Sequence, residues 1–427
     1  MADAKSEEPP KSRTESEGDG GTRKRPRTAA SRRLLAILFV YALVIWSVGN
    51  GLLPLLPKFA SQLGADDLSI GIYLAASYAA IALGTVTAGW LADRLGHRKS
   101  QMVIVGLAVS PILIATSYVT AFWQVVALTA AIWWLGGIAL TLASILAGLS
   151  AGPGERGVVL GILALAAPTG SIVGGLGIGF LADTLGFSAM WTVLGVVWLV
   201  CPAAGLLVRD VSPRPPVPVA ETTRASGIWV TAFLVLLLCG VLGAFGSFIG
   251  AFGRSLVMRA AFSNEAITST VAVSGLVTLP FPVVVGALSD RFGRLRFMAL
   301  CYGAGIAGLL VYSVAGSLWE FWTASALVAF VSYVSTGVGY ALVVDLVDRA
   351  SVGRGLAFFG ATGWIGGILG FAAGGYLFTA IGYADGFLVG AALLVVTLLL
   401  LVPIGWAINA QRPKVTSGVG RPTPRKE

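Results

Sequence analysis

A short charged phrase occurs twice in this sequence, each time between long apolar runs, and it holds the residues best suited to reversible polar contacts. The first copy reads Gly89-Trp-Leu-Ala-Asp93-Arg94-Leu-Gly96-His97-Arg98-Lys99, and the second reads Gly286-Ala-Leu-Ser-Asp290-Arg291-Phe-Gly293-Arg294. An Asp carboxylate can accept hydrogen bonds from a helix N-terminus or pair with an Arg guanidinium. Such contacts can form in one global conformation and break in another, as a conformational latch requires.

The glycines of the two copies have distinct expected roles. Gly89 and Gly286 would let a helix end approach its neighbour closely, and Gly96 and Gly293 would allow a left-handed turn. The charged residues that could join the same latch lie in the two copies and after the tenth apolar run: Arg94, Arg98, Arg291, Arg294, Asp345 and Arg354. The alternative is that the phrase only sets the folding and topology of the chain.

The composition places the chain in a membrane. Of its 427 residues, 56% are hydrophobic and 11% are charged, whereas soluble domains carry about 25% charged residues. A helix needs about 20 mostly apolar residues to cross the hydrocarbon core, and twelve segments qualify. We call them spans one to twelve, and they run at about 34–56, 69–92, 101–120, 122–149, 157–182, 187–208, 228–252, 266–288, 297–315, 321–346, 355–380 and 385–408.

The basic residues predict the orientation of the chain. Of 29 Lys and Arg residues, all except Lys58, Arg254 and Arg259 lie in the tails or in the loops after even-numbered spans. Positive charge accumulates on the cytoplasmic side of a membrane protein. We therefore expect both termini in the cytoplasm and the protein in the plasma membrane. This topology also explains the net charge of +9, so no nucleic-acid partner is expected.

Spans and polar stretches divide the chain into five parts. We expect a disordered cytoplasmic tail at 1–33, a six-helix bundle at 34–208, a cytoplasmic linker at 209–227, a second six-helix bundle at 228–408 and a basic cytoplasmic tail at 409–427. The first tail is too polar to bury a core, and prolines stiffen the linker as a spacer.

Six spans followed by six, with the charged phrase after the second span and again after the eighth, closely resemble the major facilitator superfamily of transporters. The matching residues are Gly89, Leu91, Asp93, Arg94, Gly96, Arg98 and Lys99 in the first copy, and Gly286, Leu288, Asp290, Arg291, Gly293 and Arg294 in the second. The resemblance implies an all-α membrane protein with twelve transmembrane helices in two pseudo-symmetric six-helix bundles. It also implies that the phrase stabilises an outward-open arrangement.

Spans five and eleven carry glycines at helix-packing intervals, namely Gly170, Gly174, Gly366, Gly370 and Gly374. Small residues at this spacing let helix backbones approach closely in lipid. In the family that the chain resembles, these two helices meet the opposite half at the interface where the halves rock.

By the same resemblance, spans one, four, seven and ten should face a central cavity. The candidate cavity residues in or near these spans are Trp46, Asn50, Trp133, Trp134, Tyr333 and Trp364. Buried Trp and Tyr combine a large apolar surface with one polar group, which suits an amphipathic or neutral solute. Each aromatic side chain could instead serve packing or face lipid, and the Asn50 amide could bond to a neighbouring helix.

Charged residues are missing from the centres of the spans, and Arg254 falls at the outer end of span seven. Intramembrane carboxylates are the usual proton relays, so proton coupling has only weak candidates and the pocket is expected to be uncharged. The chain has a single histidine and no phosphate-binding Gly-x-x-x-x-Gly-Lys-Ser/Thr sequence. We therefore expect no metal, no cofactor and no enzymatic reaction.

Together with the resemblance, these observations favour a secondary active transporter that moves a small organic solute by alternating access. Efflux of apolar or amphipathic compounds is one form of that activity. The expected partners are a small-molecule substrate, membrane lipids and protons as the candidate coupling ion, and a monomer is expected. Two alternatives stay open: an uncoupled facilitator of a neutral metabolite, and a membrane sensor that does not transport.

Overall fold

The computed structural model describes residues 29–151, 155–208, 227–280, 289, 291–347 and 351–410, which are helical apart from short turns. In the first half the helices are α1 Ala29–Leu52, α2 Leu56–Gln62, α3 Asp67–Leu95, α4 Arg98–Thr116, α5 Phe122–Ser150, α6 Arg156–Ala164, α7 Ala166–Trp198 and α8 Val200–Leu207. In the second half they are α9 Gly227–Ala261, α10 Asn264–Thr278, α11 Arg294–Val314, α12 Leu318–Ala329, α13 Val331–Tyr333, α14 Gly339–Leu346, α15 Val352–Ile381 and α16 Tyr383–Ala410. A π-helical segment at Val334–Val338 joins α13 to α14.

Several sequence predictions fall on residues outside these ranges. They include Gly286 and Asp290 of the second charged phrase, most of both tails and nearly all of the linker. Helix α1 begins at Ala29 and α16 continues to Ala410, at the limits of the described ranges, and the division of the chain into five parts stays a prediction.

Nine helical segments within the described ranges are long and apolar enough to cross a membrane. One of them, Gly157–Leu207, covers predicted spans five and six, which meet at the non-helical backbone of Gly186. The π-helical segment interrupts predicted span ten, and α10 is followed by residues 281–288, which lie outside the described ranges. The chain is an all-helical membrane protein, and the count of twelve crossings stays a prediction.

Left-handed glycines mark the same steps in both halves. Gly96, which follows the end of α3, and Gly293, which precedes α11, have φ angles of +64° and +88°. Gly186 and Gly382 occupy a second matched pair of turns, with φ angles of +79° and +85°. Residues with a Cβ rarely adopt this conformation. The repeat in the sequence is therefore a repeat in the backbone.

Helix packing follows the same repeat. In the first half α1 packs on α7, and in the second half α9 packs on α15 in the corresponding way. The two halves meet where α7 packs on α10 and where α3 packs on α15.

Residue Asp67 begins α3 at one face of the molecule, which we call the gate face. The opposite face, where His97 and Gly293 lie, we call the motif face.

Matched N-caps begin the two helices that enter the bundle from the gate face. Asp66 caps α3 by accepting a hydrogen bond from the Ser69 backbone N–H at 2.7 Å. Ser263 caps α10 by accepting one from the Ala266 N–H at 3.1 Å. Such caps satisfy backbone donors that a helix N-terminus leaves free. The hydrogen bonds from Ser69 lower the pKa of the Asp66 carboxyl.

Candidate functional site

A cavity of about 940 Å³ lies between the two halves. Its wall combines residues of α1, α5, α6 and α7 with residues of α9, α10, α12 and the π-helical segment. The wall extends from Pro57, close to the gate face, to Ser289 and Ala341, towards the motif face. A volume of this size is sufficient for a small organic molecule.

Three of the predicted cavity residues, Trp46, Asn50 and Tyr333, line this cavity. The Asn50 amide also donates a hydrogen bond to Ser171 Oγ on α7 at 2.7 Å, so it both faces the cavity and ties α1 to its neighbour. The Tyr333 hydroxyl donates to the Val277 carbonyl of α10. These polar groups are therefore held in place by the helices that form the wall.

The other three predicted aromatic residues lie elsewhere. Trp134 is exposed on the outside of the bundle, where its indole N–H donates to Thr87 Oγ1 at 3.3 Å. Trp133 lines a small adjoining pocket, and the rings of Trp133 and Trp364 lie 6.4 and 5.8 Å from that of Tyr78. None of these three side chains is among the residues that line the central cavity. The placement of these three side chains in the cavity wall is corrected accordingly.

The cavity wall contains a charge, contrary to the expectation of an uncharged pocket. Arg254 lines the cavity and is only 6% exposed. Helix α9 continues to Ala261, about two turns beyond Arg254. The guanidinium therefore lies inside the bundle instead of in the loop. Its Nη1 donates to Ser325 Oγ at 3.3 Å, and the Tyr312 hydroxyl lies 2.6 Å from the same oxygen.

An ion pair joins the two halves at the gate face. Asp67, at the start of α3, lies 2.6 Å from Arg259 Nη1, near the end of α9. The Tyr383 hydroxyl donates to the second Asp67 carboxylate oxygen at 2.6 Å. Arg259 also donates to Ser61 Oγ at 3.0 Å. Charge-assisted hydrogen bonds of this kind are stronger than neutral ones, so this cluster ties the two halves together at the gate face.

A second set of gate contacts surrounds the start of α10. The Asp183 carboxylate of α7 accepts hydrogen bonds from the backbone N–H groups of Asn264 at 3.0 Å and Glu265 at 2.7 Å. A carboxylate is favourable there because a helix N-terminus carries partial positive charge. Lys58 Nζ donates to the Phe262 carbonyl at 2.9 Å. These contacts, like those of Asp67, join the two halves at the gate face.

Glycines allow the halves to approach closely below these contacts. A Cβ on Gly175 would lie 2.7 Å from the Ala272 nitrogen of α10, and one on Gly179 would lie 2.1 Å from Thr268 Oγ1. At the related interface, a Cβ on Gly71 would lie 2.6 Å from the Phe371 carbonyl oxygen. Backbone therefore packs on backbone at both places where the halves meet.

The five glycines that the sequence singled out pack within each half. Gly170 and Gly174 of α7 face α1, where a Cβ on Gly174 would lie 1.9 Å from the Ser47 carbonyl oxygen. The related contacts in the second half join α15 to α9 and involve Gly366, Gly370 and Gly374. These glycines hold each half together, and other glycines form the interface between the halves.

At the motif face the charged phrase is only partly engaged. Asp93 is exposed and has no polar partner among the described residues. Arg94 lies over the Trp90 ring, 4.9 Å from its centroid. In the second copy Arg294 forms an ion pair with Asp345 within the same half. The phrase thus contributes an intact contact in one half and an unpaired carboxylate in the other.

The remaining predicted latch residues differ in their surroundings. Arg98 is buried, whereas Arg291 and Arg354 are exposed. A methyl group on Gly89 would meet nothing within 4 Å, so the close approach expected there is not made in this conformation.

Sequence reasoning did not assign roles to the gate residues Asp67, Asp183, Arg259 and Tyr383. The available signal was the small set of basic residues outside the tails and even-numbered loops: Lys58, Arg254 and Arg259. Lys58 and Arg259 make gate contacts, and Arg254 lines the cavity.

Two repeated helical halves with a cavity between them, joined at one face by ionic contacts, have the architecture of a membrane transporter. Residues 34–260 and, separately, residues 229–427 match the family model of the Major Facilitator Superfamily. The chain belongs to this superfamily. It is a multi-pass membrane transporter for small molecules.

Similar proteins include multidrug resistance proteins named MdtG. The MdtG of Proteus mirabilis (strain HI4320) is 22% identical over 84% of this chain and 94% of its own length. That of Dickeya zeae (strain Ech586) is 26% identical over 63% of this chain and 69% of its own length.

Solved structures share the fold at low sequence identity. A bacterial homologue of the human lysosomal transporter Spinster, in an inward-facing and unoccupied conformation, has a TM-score of 0.70 and 15% identity, covering 90% of this chain and 99% of that one. A POT family transporter in complex with 5-aminolevulinic acid has a TM-score of 0.74 and 11% identity, covering 88% of this chain and 96% of that one.

Proposed function

We propose that this protein is a secondary active transporter that exports small amphipathic organic solutes by alternating access. The observation that carries the proposal is a solute-sized cavity between two repeated halves, sealed at the gate face by contacts such as Asp67–Arg259. Rocking of the halves would break these contacts and close the opposite side. The glycine-packed interfaces of α7 with α10 and of α3 with α15 are the surfaces on which the halves would move.

The charge distribution supports a cytoplasmic motif face in the plasma membrane, with both termini in the cytoplasm. In that orientation the closed gate face is external. The cavity wall reaches towards the cytoplasm at Leu160 and Ala341, so the conformation described would load solute from inside the cell.

The cavity wall supports a substrate with a substantial apolar part. Trp46, Phe248, Phe252 and Phe371 all line it. Large aromatic surfaces bind amphipathic molecules through burial of apolar area, with few strict geometric demands. The multidrug resistance proteins to which the chain is similar give independent support for export.

Coupling of transport to a proton gradient is the mode we propose. No Asp or Glu is found among the described residues of the cavity wall, whereas Asp67 and Asp183 lie in the contacts that must break. The same observation favours a second candidate, an uncoupled facilitator, since proton relays usually lie in the membrane interior.

Flux in proteoliposomes tests the proposal. The probes are naphthalene-2-sulfonate and 2-naphthyltrimethylammonium, whose fixed charges prevent passive leakage, with protein-free vesicles of the same lipid as the control. Protein-dependent uptake of at least one probe, accelerated by a pH gradient, is expected.

Equal flux with and without the gradient would establish the facilitator and reject proton coupling. Absence of protein-dependent flux for both probes would contradict transport of small amphipathic ions by this chain.

A further inference from the structure

One guanidinium is buried in the wall of the central cavity. Arg254 is 6% exposed and lies on α9, about two turns before the helix ends. Its neighbour on the same helix, Arg259, reaches the gate face and pairs with Asp67. Of the three basic residues outside the tails and even-numbered loops, Arg254 lines the cavity, whereas Lys58 and Arg259 do not.

The bonding of Arg254 is incomplete. A guanidinium has five N–H donors, and its described hydrogen bond runs from Nη1 to Ser325 Oγ at 3.3 Å. Its Nε is buried without a hydrogen-bond partner. Within the described ranges, no carboxylate lies at ion-pair distance from Arg254.

Neighbouring hydroxyl groups do not supply the missing negative charge. Ser325 Oγ donates to the Phe321 carbonyl at 2.6 Å, and Ser274 Oγ donates to the Ser325 carbonyl at 3.2 Å. Both hydroxyl groups are neutral, so the Arg254 guanidinium has no negatively charged neighbour among them. A buried charge without a counter-charge is strongly unfavourable, so a protein that keeps one has a use for it.

We propose that Arg254 binds the anionic head group of the transported solute, and that this solute is an organic anion with an apolar body. The inference rests on the proposed transport function and names its substrate class. Arg254 and the nearby Tyr312 and Ser325 hydroxyls form the polar end of the site. The aromatic part of the wall, including Trp46 and Phe248, accommodates the apolar body.

This assignment accounts for both the burial and the incomplete bonding of Arg254. The planar guanidinium fork matches the paired oxygens of a carboxylate, phosphonate or sulfonate. The anion would supply the counter-charge that the described protein groups do not, and its binding would be strengthened by the low-dielectric surroundings.

The test measures binding to the purified full-length protein without any gradient. The probes are naphthalene-2-sulfonate, its neutral isostere naphthalene-2-sulfonamide and the cation 2-naphthyltrimethylammonium, each titrated by calorimetry. The proteins are the wild type, Arg254→Gln, Arg254→Lys and Arg296→Gln. Arg296 is exposed at the motif face, so Arg296→Gln removes the same charge outside the cavity.

The wild type is expected to bind the sulfonate at least about tenfold more tightly than the sulfonamide, equivalent to about 1.4 kcal/mol. Arg254→Gln should abolish this preference, and Arg254→Lys should retain part of it. Arg296→Gln should behave as the wild type.

Equal affinity for the sulfonate and the sulfonamide in the wild type would overturn the proposal, as would an undiminished preference in Arg254→Gln. So would the absence of saturable sulfonate binding. If Arg254→Gln does not fold, the wild-type preference and its reduction in Arg254→Lys decide the question.

Sulfonate binding without flux would refute transport but keep the anion site, whereas flux of the cation alone would keep transport and refute the site.

Discussion

Asp67 and Arg259 lie on opposite halves of the chain, yet their charged groups are 2.6 Å apart. Asp67 begins α3, the helix that packs on α15, and Arg259 lies in the last turn of α9, the helix that contributes Arg254 to the cavity wall. The pair therefore connects the seal of the gate face to the wall of the cavity. Breaking it is a necessary step in opening this face.

Asp67→Asn should open the gate face more often. The side chains of the pair are 15% and 23% exposed, so the charge-assisted contact is partly shielded from water. Loss of this contact should shift the equilibrium between the closed and open gate face towards the open state by about 1.5–3 kcal/mol, or roughly tenfold or more. The measurement is the rate at which a membrane-impermeant maleimide, added at the gate face, labels Ser255→Cys in the cavity wall.

Two variants control this experiment. Asp66→Asn removes the adjacent carboxylate, which caps its own helix instead of bridging the halves, and should leave the labelling rate unchanged. Exchanging the charges in Asp67→Arg/Arg259→Asp should restore slow labelling. A labelling rate in Asp67→Asn equal to that of the wild type would show that the ion pair does not hold the gate.

Gly175→Ala should weaken the closed interface, and Gly177→Ala should not. The added methyl would lie 2.7 Å from backbone in the first case and meets nothing within 4 Å in the second. Overpacking of this kind costs about 1–3 kcal/mol. Thermal unfolding of both variants in the same detergent checks the difference, and equal melting temperatures would contradict the close packing of α7 on α10.

Asp93→Asn should favour the closed gate face, whereas Asp67→Asn should favour the open one. Asp93 is exposed and unpaired while the gate face is closed, so its charge can stabilise only the other conformation. The variant should fold normally and label more slowly at Ser255→Cys, and its transport should slow. Unchanged labelling and turnover would leave the charged phrase with a role in topology alone.

Low pH should weaken the start of α3. Hydrogen bonds from Ser69 lower the pKa of Asp66, so this carboxylate stabilises the folded state above its unfolded pKa of about 4. The contribution is lost as the pH falls through the lower folded-state pKa. Because Asn caps helices about as well as Asp, Asp66→Asn should melt like the wild type at pH 7. The wild type should lose stability relative to the variant in acid, and parallel pH profiles would count against the cap.

Local patterns were sufficient to predict much of the fold. Long apolar runs located most of the spans, and the doubled charged phrase located the left-handed turns at Gly96 and Gly293. Both are properties of short stretches of sequence, where backbone sterics and apolar length decide the outcome. Trp46, Asn50 and Tyr333 were found because their helices could be assigned to the cavity as wholes.

Contacts between the halves could not be predicted in this way. Pairing of Asp67 with Arg259 depends on how two bundles dock, which no local pattern encodes. The depth of Arg254 depends on the continuation of α9 to Ala261 past the apolar run. The error at Trp134 has a similar origin, because hydropathy alone does not fix the rotation of a helix that is apolar on all sides.

Distances between spin labels test alternating access most directly. One pair, Gln62 with Ala261, spans the halves at the gate face, and the other, Ser100 with Arg296, spans them at the motif face; all four residues are exposed. The buried Cys201, Cys239 and Cys301 would be replaced beforehand. Introducing Asp67→Asn should lengthen the gate-face distance and shorten the motif-face distance in the same molecules. Distances that stay fixed, or that change in the same direction at both faces, would contradict two halves rocking about a central cavity.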